Sequence, residues 1–279
     1  MEKKLRKRLP KGRTFKQILN HYEVERAIAT RLKRATTEER KTIYRTMYDE
    51  LLTRVPDHPR FQTLNVEASA KIANQSKLKL VAKFLNKSIT FVEFGPGDCR
   101  FTTSICDRVQ FAYGVDISDQ RKNVESVPVN FKLIVYNGYD LDISDEVADV
   151  VFSDQLIEHL HSDDIHDHFG SVRRILKPQG IYVFRTPHRF NGPHDVSGYF
   201  SNDAEGFHLR EWTYSEIEEV LKNSEYALWW GYWCAKRICL KLPFKYFIAI
   251  ERLLDRLPNG VRNVLSRLFL PSLNAVALK

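Results

Sequence analysis

The chain of 279 residues has no apolar run long enough to span a bilayer. Lys236, Arg237, Lys241 and Lys245 break up its most hydrophobic stretch. Its charged N-terminus lacks the apolar segment that secretion requires, so a cytoplasmic protein is expected. Cysteine is scarce. Cys99, Cys106, Cys234 and Cys239 show no metal-ribbon spacing, and in a reducing interior they are expected to stay unpaired. Internal repeats and low-complexity segments are absent as well, which excludes solenoid and fibrous architectures.

Apolar residues make up 43% of the chain and aromatic ones 12%, enough for a buried core, and this excludes global disorder. The net charge of +8 is unevenly placed: "MEKKLRKRLPKGR" holds seven Lys and Arg against one Glu. That segment is read as a solvated tail. The functional alternative is contact with an anionic surface, either a membrane periphery or nucleic acid, with nucleic acid the less favoured.

Two rhythms divide the chain. Residues 1–85 form a helical N-terminal extension, since apolar residues recur at three- and four-residue steps through "FKQILNHYEVERAIATRLKRA" and "ERKTIYRTMYDELLTRV". Thr36 to Glu39 is a capping signal between them. Residues 86–279 alternate short β-rich runs with amphipathic helices, one of them over "DQRKNVES". The pattern predicts an α/β fold with a mostly parallel sheet sandwiched by helices. An amphipathic helical insertion at about 236–270 precedes the final strand, "LNAVALK". In such sheets ligands bind at the carboxyl ends of the strands.

The first strand ends in "FVEFGPGDCRF". Gly95 and Gly97 let backbone approach a ligand closely, but Arg100 stands where a dinucleotide fingerprint needs its third glycine. Glu93, two positions before the first glycine, suits a cationic amine better than a diphosphate. Asp116, ending "GVD" about twenty residues on, is placed to accept two hydrogen bonds from a ribose. A ligand with a ribose, a cationic group and no diphosphate fits S-adenosylmethionine.

At this point the chain resembles the class I S-adenosylmethionine-dependent methyltransferases, through "VEFGPGDCRF", "GVDIS", "ADVVFSDQLIEHL", "ILKPQGIYVFRTP" and "HLREWTYSEIEEVL" in that order. The resemblance implies a Rossmann-like, seven-stranded sheet and S-adenosylhomocysteine as product. It places Glu93, Gly95, Pro96, Gly97 and Asp98 around the methionine portion and Asp116 on the ribose. Ile117, Gly138 and Tyr139 fall at the adenine, and Asp154 or Gln155 beneath the sulfonium. Cys99 and Gln179 depart from glycines of the family pattern.

Methyl transfer to a hydroxyl needs alignment and a base. In "QLIEHLH", helical spacing would put Gln155, Glu158 and His159 on one face. The candidates for catalysis are Glu158, His159, His188, His194 and His208. "EH" here, with a histidine before "EW", also resembles two metal-using groups, the polyprenyl-catechol O-methyltransferases and the small-RNA 2′-O-methyltransferases. Gln155 stands in place of their first glutamate and is a poor ligand for a hard cation. No metal is therefore favoured, and Glu158, His159 and His208 are the reduced set that would hold a divalent ion. His21, His58, His166 and His168 are read as solvated. The expected reaction is O-methyl transfer to a small molecule, a sugar, a specialised metabolite or a lipid-linked intermediate. RNA 2′-O-methylation and a non-catalytic interaction module are the alternatives.

Overall fold

The computed structural model describes residues 4–59, 67–121, 127–235 and 238–279. Two long helices come first, α1 (Phe15–Arg34) and α2 (Thr37–Arg54). Each starts on a capping box, Thr14 with Gln17 and Thr36 with Glu39, which satisfies backbone N–H groups that a helix start leaves bare. Val24, Ile28 and Leu32 of α1 pack with Ile43, Met47 and Leu51 of α2, and Ile117, Tyr139 and Leu209 close against the pair. The two helices therefore roof the carboxyl end of the sheet.

Helix α3 (Glu67–Val81) leads into β1 (Thr90–Phe94), α4 (Arg100–Ser104), β2 (Phe111–Asp116), β3 (Phe131–Val135) and β4 (Ala148–Asp154). Then follow α5 (Ile165–Ile175), β5 (Leu176–Thr186), α6 (Tyr214–Asn223), β6 (Leu228–Ala235) and β7 (Ile238–Leu242). Helices α7 (Phe244–Asp255) and α8 (Asn259–Phe269) precede β8 (Leu273–Leu278). The strands form one sheet in the order β3-β2-β1-β4-β5-β8-β6-β7. Neighbours from β3 to β5 run parallel; β8 is antiparallel to both β5 and β6. Phe91, Val92, Glu93 and Phe94 of β1 are all buried, as suits a central strand covered on both faces. The chain leaves β1 for β2 on one side and reaches β4 on the other. A crevice opens there.

Several expectations are corrected. An eighth strand, β7, extends the sheet, so the insertion before the last strand begins with a hairpin rather than a helix. Cys234 and Cys239 face each other across that hairpin and form a disulfide, while Cys99 and Cys106 are free and buried. "QLIEHLH" is not on a helix. Gln155 is left-handed at φ 56°, and Ile157–His159 is a single 3-10 turn, so the helical spacing that would place Gln155, Glu158 and His159 on one face does not hold. Most of the helix expected over "DQRKNVES" lies outside the described residues. The basic segment is partly packed, since Arg6 N–H donates to the Tyr199 carbonyl and Arg13 is buried against Asp57.

Candidate active site

A cavity of about 550 Å³ runs from the crevice at the ends of β1 and β2 to the underside of α1 and α2. Gly95, Gly97, Asp116, Ile117, Gly138 and Gln155 line its first half. Gly95 and Gly97 adopt φ 65° and 58°, a region that side chains disfavour, and a Cβ on Gly95 would come within 3.3 Å of Leu156. Asp116 accepts the Gly97 N–H at 3.0 Å through Oδ2 and the Ile117 N–H at 2.8 Å through Oδ1, which fixes its carboxylate at the cavity wall. Glu93 lies deeper. It is fully buried, its Oε1 accepts from Lys77 Nζ of α3 at 2.8 Å and its Oε2 from the Thr102 hydroxyl. A cation thus already sits on the carboxylate expected to receive a ligand amine.

The second half of the cavity gathers histidines. His159 Nδ1 lies 2.9 Å from the Phe207 carbonyl, which has no hydrogen to give, so Nδ1 carries the proton and Nε2 is the basic nitrogen. Glu211 orders two more: Oε1 is 2.8 Å from His208 Nδ1, and Oε2 is 3.2 Å from His194 Nδ1. Glu211 is held down to about 2, since burial opposes its charge but the bonds from His194 and His208 more than offset this. Both rings therefore donate from Nδ1 and keep Nε2 as acceptor. The His159 and His208 rings meet edge to face at 5.1 Å. Burial disfavours the His208 cation, yet Glu211, Glu158 and Asp195 together raise its pKa above 6.5.

The roof is tied to these rings. His21 Nδ1 accepts from Arg13 at 3.0 Å, so its Nε2–H donates to Glu25 Oε1 at 2.8 Å. Glu25 Oε2 accepts the Phe207 N–H at 3.2 Å, and the carbonyl of that residue is the one that fixes His159. Arg40 of α2 forks onto Asp164, with contacts of 2.9 and 2.6 Å, where the Tyr44 and Tyr139 hydroxyls converge at 2.9 and 2.8 Å.

The model of the family described as "Methyltransferase domain" matches residues 92–184. Those residues carry a methyltransferase domain. No curated protein sequence matches it. Solved structures with the same fold include a chain of the complex between the Haloferax volcanii Trm112 methyltransferase activator and the putative methyltransferase. It is 17% identical, with 76% of this chain and 94% of that one covered at a TM-score of 0.50. A methyltransferase from Archaeoglobus fulgidus is 15% identical, with 75% and 94% covered at 0.51. Phosphoethanolamine N-methyltransferase 1 from Haemonchus contortus is 17% identical over 66% of this chain, at 0.51. This chain spans 40% of the length of that protein. At such identities the likeness is one of fold.

Of the residues picked out by sequence, the fold brings His159, His194, His208 and Gln155 to one cavity with Gly95, Gly97, Asp116, Ile117 and Gly138. Others stand apart. His188 is fully buried; its Nε2 is 2.8 Å from Glu251 and its Nδ1 accepts the Phe190 N–H, so it ties α7 to the domain and is no acceptor contact. Asp154 is gripped by Arg185 at 2.6 and 2.7 Å, away from the cavity, which leaves Gln155 as the strand-end residue that faces it. Asp98 accepts the Arg100 N–H at the start of α4, Pro96 packs near Gly114, and the Tyr139 hydroxyl is committed to Asp164. His21 and His168 are buried, not solvated. Burial lowers the His168 pKa to about 4. Glu25, Asp164 and Arg40 were missed, although His21 and Glu25 interrupt the apolar row Ile18, Ile28 and Leu32 of α1, a legible sign of buried polar groups.

Glu158 is buried behind the histidines. Thr186 donates to its Oε2 at 2.8 Å, while Oε1 has no hydrogen-bond partner among the described residues. Burial pushes its pKa from 4.5 up to about 7. A carboxyl raised by folding adds stability at low pH that is lost as pH rises through the folded value. That interval amounts to about 3 kcal/mol. Glu158→Gln is therefore expected to be more stable than the parent at pH 8 by about 2–3 kcal/mol and to converge with it at pH 4. Urea unfolding at both pH values measures this, and parallel pH dependence of the two proteins would refute it.

Gly192 is needed for a close approach, since a Cβ there would lie 1.8 Å from Glu211 Oε2. Gly192→Ala must displace a buried carboxylate that serves both His194 and His208. A loss of roughly 2–4 kcal/mol in thermal unfolding is expected, together with reduced turnover.

Proposed function

We propose that the enzyme transfers a methyl group from S-adenosylmethionine to a hydroxyl of a small-molecule acceptor such as a sugar, a specialised metabolite or a lipid-linked intermediate. The supporting observation is that three histidines meet beside the crevice, each with Nδ1 on an oxygen acceptor and Nε2 left basic. The residues present fit the cofactor: the glycine turn leaves a cradle that a Cβ would fill, and Asp116 offers a carboxylate at the wall. Gly95, Gly97, Asp116, Ile117, Gly138 and Gln155 would hold it. Glu93 would serve the amine only once Lys77 is displaced. When bound, the cofactor supplies an electrophilic methyl on a sulfonium.

His208 would accept the acceptor hydroxyl proton at Nε2, and Glu211 would stabilise the imidazolium that results. His159 and His194 align the acceptor. Water is kept out by the roof of α1 and α2.

One observation favours a second reading. Glu158, His159 and His208 offer ligand atoms within 4.8 Å of one another, and Glu158 Oε1 is a buried oxygen without a hydrogen-bond partner among the described residues. These residues fit a divalent ion with two imidazoles and a carboxylate, which would supply acidification of the acceptor hydroxyl. His21, Glu25 and His58 also cluster, but Arg13 and Glu25 take up both His21 nitrogens, leaving that ring no lone pair for a metal. Labelled-methyl transfer to a fractionated lysate, with and without chelator, separates the readings. Transfer indifferent to chelator removes the metal, and a product labelled on nitrogen or carbon overturns the hydroxyl assignment.

A further inference from the structure

Beside His194 lies a second cavity, of about 340 Å³, in which Lys7 of the N-terminal segment and Arg267 of α8 line one space. His194, Asp195 and Tyr199 line both cavities, so the second adjoins the reaction chamber. The Lys7 ammonium donates to the Pro193 carbonyl at 3.3 Å. Among the described residues, neither Lys7 nor Arg267 has a carboxylate within ion-pair distance. Asp195 does not neutralise them directly, because Oδ1 accepts from Ser197 N–H and Oδ2 from the Gly206 and His208 N–H groups. Burial, then Arg267, lowers the Lys7 pKa, whereas Glu211 and Asp195 raise it. The space is also shaped for the amine: a Cβ on Gly198 would fall 2.4 Å from Lys7 Nζ. Lys7 and Arg267 are both exposed, so this is an open space lined by two like charges, which an anion from solution would reach and bridge.

We infer that this cavity is a phosphate subsite, and that the acceptor carries a phosphoryl group held by Lys7 and Arg267 while its hydroxyl reaches past His194 to His208. A guanidinium fork with an ammonium point charge matches the two negative charges of a phosphate monoester, which one carboxylate would leave half compensated. The inference rests on the small-molecule acceptor proposed above, but not on the atom methylated. The outward face of α8 next to Arg267 exposes Val261, Val264 and Leu268, so the phosphate has two sources, a soluble phosphorylated metabolite or a lipid headgroup.

Calorimetry of the full chain with inorganic phosphate tests the subsite. One phosphate per chain is expected, with affinity weakened about ten- to hundredfold by Arg267→Gln and by Lys7→Gln. S-adenosylhomocysteine binding should be equal in all three proteins, which shows that the variants are folded. No binding to the parent chain, or equal binding to all three, overturns the inference. Co-sedimentation with phosphatidylcholine vesicles carrying phosphatidic acid then finds the source. Pelleting lost in Arg267→Gln assigns a lipid phosphate, and phosphate binding without pelleting assigns a soluble acceptor. A chain that binds phosphate at these residues yet methylates no hydroxyl keeps the subsite and overturns only the reaction.

Discussion

Replacing His208 with alanine is expected to lower turnover by roughly 10²–10⁴-fold, the span that a positioned general base contributes, and to leave S-adenosylhomocysteine affinity unchanged. The ring lines the cavity, and its Nδ1 is anchored by Glu211 at 2.8 Å. The same pair sets the pH dependence. A base works only when neutral, so the rate should rise with pH through a midpoint above 6.5, because Glu211, Glu158 and Asp195 favour the His208 cation against the cost of its burial. Glu211→Gln removes the nearest of those carboxylates and should move the midpoint to lower pH while lowering the maximum. Single-turnover rates across pH measure both. Parental turnover in His208→Ala would end the assignment of this ring as the base.

Cofactor affinity should respond most to Asp116. Two hydrogen bonds to an ionised carboxylate are worth about 1.5–3 kcal/mol each, so Asp116→Ala is expected to weaken S-adenosylhomocysteine binding by roughly 10²-fold or more. Part of the loss is indirect, since Asp116 also holds the Gly97 N–H at 3.0 Å and so braces the glycine turn. Calorimetry with the purified chain checks this, and an unchanged dissociation constant would place the ribose elsewhere. The two variants should fail in opposite ways, one in turnover with binding intact and one in binding.

Much of this architecture is written in short-range signals. The capping threonines at 14 and 36, the alternation of strand and helix after residue 86, and the polar residues at strand ends all act within a few positions of one another. The crevice was legible for the same reason, because Gly95, Gly97 and Asp116 sit where parallel strands stop. What was not legible depends on pairs far apart in sequence. Nothing near His188 announces Glu251, 63 residues away, and nothing near Glu93 announces that Lys77 will reach it. Cys234 and Cys239 read as isolated thiols until a hairpin sets them opposite each other. The turn after β4 misled for a subtler reason. Gln155 takes a left-handed conformation that its side chain disfavours, so the helical spacing that would set Gln155, Glu158 and His159 on one face does not apply, and Glu158 is buried while the other two line the cavity.

Phe207 joins the two halves of the molecule through its peptide group, with its N–H on Glu25 of α1 and its carbonyl on His159, while its ring packs among the side chains of α1 and α2. The peptide linkage is therefore broken by substitutions at Glu25 or His159 rather than by trimming the Phe207 ring. It couples the N-terminal helices to the tautomer of a ring in the cavity. Fraying of α1 would take Glu25 from the Phe207 N–H and loosen the peptide whose carbonyl holds the His159 Nδ1 proton. Helices that look like an appendage in sequence thus brace the peptide that sets which nitrogen of a cavity histidine is basic.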